Sequence, residues 1–98
     1  MSAIQISVSD DGQVSVNYEK KTRENIGRRL EQLEEGLNID KYGVAYLLNM
    51  QPNENSVRLM QRWQTDPSMA SFQEMPEHKW KLLLTLVEGQ DPLISHKK

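Results

Sequence analysis

Between Thr22 and Gln64 apolar residues recur at helical spacing in three short runs, separated by two polar breaks. This pattern constrains the fold most. Helices this short are marginal alone in water, so their apolar stripes must be buried against one another. Ile26, Leu30, Leu33 and Leu37 mark a first helix from about Arg23 to Glu35, with Gly36 as its stop. Val44, Ala45, Leu47 and Leu48 mark a second, from about Lys41 to Asn49, with Asp40 as N-cap. After the polar turn Gln51–Asn55, Ser56 is the expected cap of a third helix. Val57, Met60 and Trp63 lie on one side of that helix, and Arg58, Gln61 and Arg62 on the other.

The flanks read differently. Ile4, Ile6 and Val8, then Val14, Val16 and Tyr18, alternate with polar residues, as half-buried strands do. A two-residue Asp11-Gly12 turn would set apolar opposite polar. A three-residue loop instead pairs Val8 with Val14, Ile6 with Val16 and Ile4 with Tyr18, and asks Gly12 for a left-handed conformation. An isolated hairpin is marginal in water, so its apolar face is expected on the helices or on another subunit. Downstream, Asp66-Pro67 resembles a cap followed by proline, and a short helix with Met69 and Phe72 is expected. Pro76 opens a final helix in the same way. Trp80, Leu83, Leu84 and Val87 form its stripe, with Gly89 as its end and Pro92 as a second stop. Met50, Met60, Trp63 and Trp80 are expected in the core.

The chain is therefore expected to be mainly α: an N-terminal β-hairpin (1–20), a compact unit of four to five helices (22–89) and a tail (90–98). Its 98 residues suffice for one domain with a modest core. The absence of cysteine excludes disulfides and thiolate metal sites and fits a reducing cytoplasm. No apolar run reaches membrane-span length and no signal pattern opens the chain, so neither a membrane partner nor export is expected. Catalysis has little to stand on. His78 sits among charged residues, His96 lies in the tail, and no phosphate loop, nucleophile or metal-ligand spacing occurs. No enzyme activity, metal or cofactor is expected. The acidic pairs Asp10-Asp11 and Glu34-Glu35 read as solvated surface.

The stretch Leu30–Leu37, then Asp40–Met50, then Ser56–Gln64 resembles the helix-turn-helix family of lambda repressor and Cro, over residues 22–89. Ala45 falls at the family's small position, where a larger side chain would hold the second and third helices apart. Leu47-Leu48 match its paired leucines, Ser56, Arg58 and Arg62-Trp63-Gln64 its third helix, and Trp80 with Leu82–Leu84 its trailing core helix. Two features depart from the family. Asn49 stands where glycine is usual, with an inserted turn at 51–55, and a hairpin precedes the helices. The hairpin tip, Asp10-Asp11, would be repelled by phosphate, so dimerisation suits it better than groove contact.

The resemblance implies a small regulator, encoded by a phage or mobile element, that binds double-stranded DNA as a homodimer on a short palindrome. Arg58 and Arg62 would meet guanine edges and Gln61 an adenine edge. Asn55 and Ser56 would meet phosphate at the helix N-terminus, and Lys20, Lys21, Arg23 and Arg28 would anchor the DNA backbone. The alternative is a phage-type inhibitor that uses the same scaffold to bind a host protein such as a nuclease, a CRISPR complex or a polymerase. The net charge of −2 favours that alternative, and the paired arginines favour DNA. An antitoxin that binds both DNA and a partner combines the two.

Overall fold

The computed structural model describes residues 3–96, and side-chain surroundings for residues 3–89. Strands β1 (Ile4–Val8) and β2 (Val14–Tyr18) pair antiparallel, with Ile4 opposite Tyr18, Ile6 opposite Val16 and Val8 opposite Val14. Ser9 N–H donates to the Gln13 carbonyl at 2.8 Å, which leaves a three-residue loop in which Gly12 adopts φ +88°. Register and loop are those expected from the alternation. A slip of one residue, as a two-residue loop would require, would set apolar opposite polar.

Four helices follow: α1 (Arg23–Leu37), α2 (Lys41–Leu47), α3 (Glu54–Trp63) and α4 (Glu77–His96). Thr22 Oγ1 caps α1 by accepting from Asn25 N–H, and Asp40 Oδ1 caps α2 by accepting from Gly43 N–H. The two helices end alike. Asn38 (φ 56°) and Asn49 (φ 65°) each take the left-handed conformation. The next N–H then reaches back five residues, from Ile39 to the Glu34 carbonyl and from Met50 to the Ala45 carbonyl. This closure satisfies carbonyls that a helix end otherwise leaves free. It corrects two expected stops. Gly36 lies inside α1, and Asn49 lies beyond α2 rather than in it. Asparagine tolerates φ > 0 better than other non-glycine residues, so it serves where glycine was anticipated.

The third helix also begins earlier than expected. Asn53, not Ser56, is its N-cap, and its Oδ1 accepts from Ser56 N–H at 3.0 Å. Ser56 is the third helical residue and is buried. Part of the 51–55 turn is thus helix. The short helix expected around Met69 and Phe72 is absent. Asp66 Oδ1 accepts from the backbone and hydroxyl of Ser68, and successive turns carry the chain to Met75. An Asp side chain that bonds locally in this way competes with helix formation. Finally, α4 runs through Gly89 and Pro92 to His96. Gly89 is not among the positive-φ residues, so it does not end the helix. Pro92 removes one N–H donor from the ladder without stopping it. Most of the expected 90–98 tail is therefore helical, and residues 97 and 98 lie outside the described residues.

The core lies where the four helices meet. Leu33, Ala45, Leu48, Leu83 and Leu84 are fully buried, with Val44, Trp63, Met75 and Trp80 almost so. Met60 is buried with them, and Met50 packs against the cluster from the edge. Helix α1 lies on α4 and on α2, and α2 lies on α3. Lys79 Nζ donates to the Leu48 carbonyl, which ties α4 to the end of α2. Among the described residues the hairpin joins this body at its base. Ala3 is buried, its N–H donates to Glu88 on α4, and Trp80 Nε1 donates to the Glu19 carbonyl at 2.8 Å. Beyond that base the apolar face of the hairpin is exposed and is not covered by the described side chains of the helices.

Candidate nucleic-acid interface

Helix α3 is held in one rotational setting by Val57, Met60 and Trp63, all buried. Helical geometry then turns Asn55, Arg58, Gln61 and Arg62 outward, and all four are exposed. Arg58 and Arg62 are four residues apart, so their side chains rise from one strip of surface one turn apart. Asn55, Arg58, Leu59 and Arg62 together line a shallow depression there. Neither arginine makes an ion pair among the described residues, in contrast to the basic segment before and within α1.

That basic segment is largely neutralised inside the fold. Lys21 Nζ lies 3.2 Å from Glu74 and 3.4 Å from Glu77 and donates to the Met75 carbonyl. Arg23 pairs with Glu24 at 3.2 Å and lies 3.9 Å from Asp66. Arg28 donates to Glu19 at 2.9 Å and to Asn25 Oδ1 at 3.0 Å. Arg29 is buried and clamps Glu19 with Nε and Nη2 while donating Nη1 to Gln32. The Arg29 hydrogen bond is the main reason the Glu19 carboxyl is held below the usual glutamate range. Burial opposes it, and the charges and hydrogen bond of the two arginines add to it. Of the four residues expected to anchor a DNA backbone, only Lys20 is exposed and without an ion pair among the described residues.

Ser56 is brought to the start of α3 as expected, but its burial turns it away from any ligand, and Asn55 remains the exposed polar group there. Gln61 stands at a boundary. On its far side a groove between α1, α2 and α3 is lined by Glu31, Glu34, Lys41 and Gln64. The α3 surface is thus basic along Arg58 and Arg62 and acidic across Gln61. Alternation of apolar and polar residues cannot reveal this, because Glu31 and Glu34 belong to a different helix.

Two tyrosines of α2 escaped the sequence reading. Tyr42 donates its hydroxyl to Glu54 at 2.6 Å, joining α2 to the first turn of α3. That carboxylate raises the Tyr42 pKa, by its hydrogen bond first and its charge second. Tyr46 is 68% exposed beside Asn49, Met50 and Pro52.

His78 is exposed at the start of α4. Among the described residues no group of three or more His, Cys, Asp or Glu side chains is arranged to hold a metal ion. No described helix is long and apolar enough to cross a membrane. No protein-family model, curated protein or solved structure gives a significant match to the chain.

Proposed function

We propose that the protein is a small cytoplasmic DNA-binding regulator of the repressor/Cro type that reads double-stranded DNA with α3. The observation that carries this reading is the unpaired state of Arg58 and Arg62. They share one exposed strip, while most neighbouring cations are bound to carboxylates. A guanidinium free of internal partners, projected from a rigid helix, suits bidentate contact with the O6 and N7 of guanine. Gln61 lies one residue before Arg62 and suits an adenine edge. Asn55, exposed in the first turn of α3, suits a phosphate oxygen. Ala45 of α2 is fully buried, as the small position of the helix-turn-helix resemblance asks.

Selection of binding sequences from a random duplex pool, followed by titration at several salt concentrations, tests the reading. Arg58→Ala and Arg62→Ala should each weaken the selected site by about 1–3 kcal/mol and relax base preference. Because Lys21, Arg23 and Arg28 are engaged internally, the salt dependence should be shallow, as for few phosphate contacts. Failure to enrich any sequence, or binding that survives both substitutions, overturns it.

That same internal pairing favours a second reading, an inhibitor that docks on a host nuclease, CRISPR complex or polymerase. With a protein target held by an apolar centre, no duplex sequence would be enriched and binding would depend on salt still less.

A further inference from the structure

The hairpin carries an apolar face that no side chain among the described residues covers. Ile6, Val8, Val14 and Val16 are 68, 66, 63 and 46% exposed, and Tyr18 39%, although the register sets them on one side. We propose that this face packs on the same face of a second copy of the chain, with the two hairpins antiparallel about a two-fold axis beside the Ile6–Val16 pair. The inference does not depend on the DNA reading.

Charge selects the occupant and its direction. The strands themselves carry no charged residue, so like faces meet without repulsion. Asp10 and Asp11 stand at the tip. At the base Glu19 is held by Arg28 and Arg29 and Glu88 by the Ala3 N–H, and two further lysines stand beside them. Lys20 follows β2, and Lys81 of α4 reaches over the Tyr18 ring, its Nζ 5.0 Å from the centroid. Neither lysine has a carboxylate partner among the described residues. A strand of this length spans roughly 17 Å. Antiparallel packing over that length sets each acidic tip against the other copy's lysines, and symmetry makes the contact twice. Parallel packing would set acid on acid. The five exposed fractions amount to at most roughly 500 Å² per copy, so their complete burial in two copies would meet the ~1,000 Å² lower limit of a specific interface. In this arrangement the Val8–Val14 row of one copy covers the Ile4–Tyr18 row of the other.

Sedimentation equilibrium of the full chain, without DNA, tests the proposal. The expected result is a concentration-dependent dimer that Ile6→Lys weakens at least about 30-fold. The helical circular dichroism of that variant should be unchanged, because position 6 faces solvent in the single chain. Asp10→Lys should weaken the dimer, and Lys81→Glu added to Asp10→Lys should restore it. The charge swap tests the proposal even if Ile6→Lys disturbs the hairpin. A monomer at every concentration overturns the proposal, as does a dimer indifferent to Ile6→Lys. A charge reversal without rescue overturns the antiparallel arrangement.

Discussion

Leu33, Leu48, Leu83 and Leu84 are fully buried among the helices, whereas Ile6, Val8 and Val14 of the hairpin are about two-thirds exposed. Both sets obey the periodicity of their element. The difference teaches that periodicity decides which side chains share a face, and that neighbouring elements decide whether the face is covered. The helices cover one another. The hairpin projects from its anchored base, and among the described residues no further side chain covers it. The largest effect should follow this division. Leu33→Ala removes methyl groups from a site with no exposure and should cost about 3–4 kcal/mol in urea unfolding. For a domain of this size that is a large share of total stability. Ile6→Ala, measured at concentrations too low for association, should cost less than about 0.5 kcal/mol. Equal costs would break the comparison, because the hairpin face would then be covered within one chain.

The junction between the two regions is polar, and the next prediction concerns it. Glu19 lies at the end of β2 and holds the buried Arg29 as well as Arg28. Glu19→Gln removes the charge that compensates Arg29 and should cost about 3 kcal/mol. The carboxyl's pKa in the folded chain lies below its ordinary value of 4.5, so the unfolded chain takes up the proton first. Its contribution is therefore complete above pH 4.5 and lost as pH falls through the lowered folded value. Unfolding midpoints of the wild type should drop across that acid window, and Glu19→Gln should lack this component. Parallel pH curves for the two proteins would show that Glu19 does not hold the junction.

Much of the fold was legible because apolar spacing reports burial directly. The strand register, the Asp40 cap and the inward set Val57, Met60 and Trp63 all follow from it. Helix ends were less legible. Gly36 and Gly89 resemble stops, yet the chain turns at Asn38 and passes Gly89, since glycine permits a stop without requiring one. Asn53 and Ser56 are both good caps, and only the three-dimensional turn selects the first. At the site, the outward setting of Arg58 and Arg62 was legible from helical phase. The internal pairing of Lys21 with Glu74 and of Arg28 with Glu19 was not. Those partners are separated in sequence or sit in another element, and charge composition cannot say which cations remain free.

The two tryptophans sharpen the comparison at smaller magnitude. Both are almost fully buried, but their indole N–H groups differ. Trp80 Nε1 donates to the Glu19 carbonyl and so links the helical body to the hairpin base, whereas Trp63 Nε1 is buried without an acceptor. An unpaired buried donor costs about 1–3 kcal/mol, which Trp63→Phe would relieve while losing some ring contact. Trp63→Phe should therefore cost no more than about 1 kcal/mol, and Trp80→Phe about 2 kcal/mol. Hydrogen exchange adds a readout of location. Trp80→Phe should speed exchange at the paired amides of β1 and β2, and Trp63→Phe should not. The reverse order would mean that the hairpin is not held through Trp80.

Two glycines carry the comparison to its smallest effects, with opposite signs. Gly12 takes φ +88° in the hairpin loop with open space where a Cβ would stand, so Gly12→Ala suffers from backbone conformation alone. The expected cost is about 1 kcal/mol. Because, among the described residues, the hairpin is joined to the body at its base, that cost should appear as faster exchange in the strand amides more than as a lower global midpoint. Gly36 lies exposed within α1, where alanine has the better helix propensity and restricts the unfolded chain. Gly36→Ala should raise the global stability by about 0.5 kcal/mol, the position being close to the helix end. A loss of stability there would mean that α1 needs glycine to terminate, as the sequence suggests. The helix end, like the hairpin loop, would then depend on glycine rather than on Asn38.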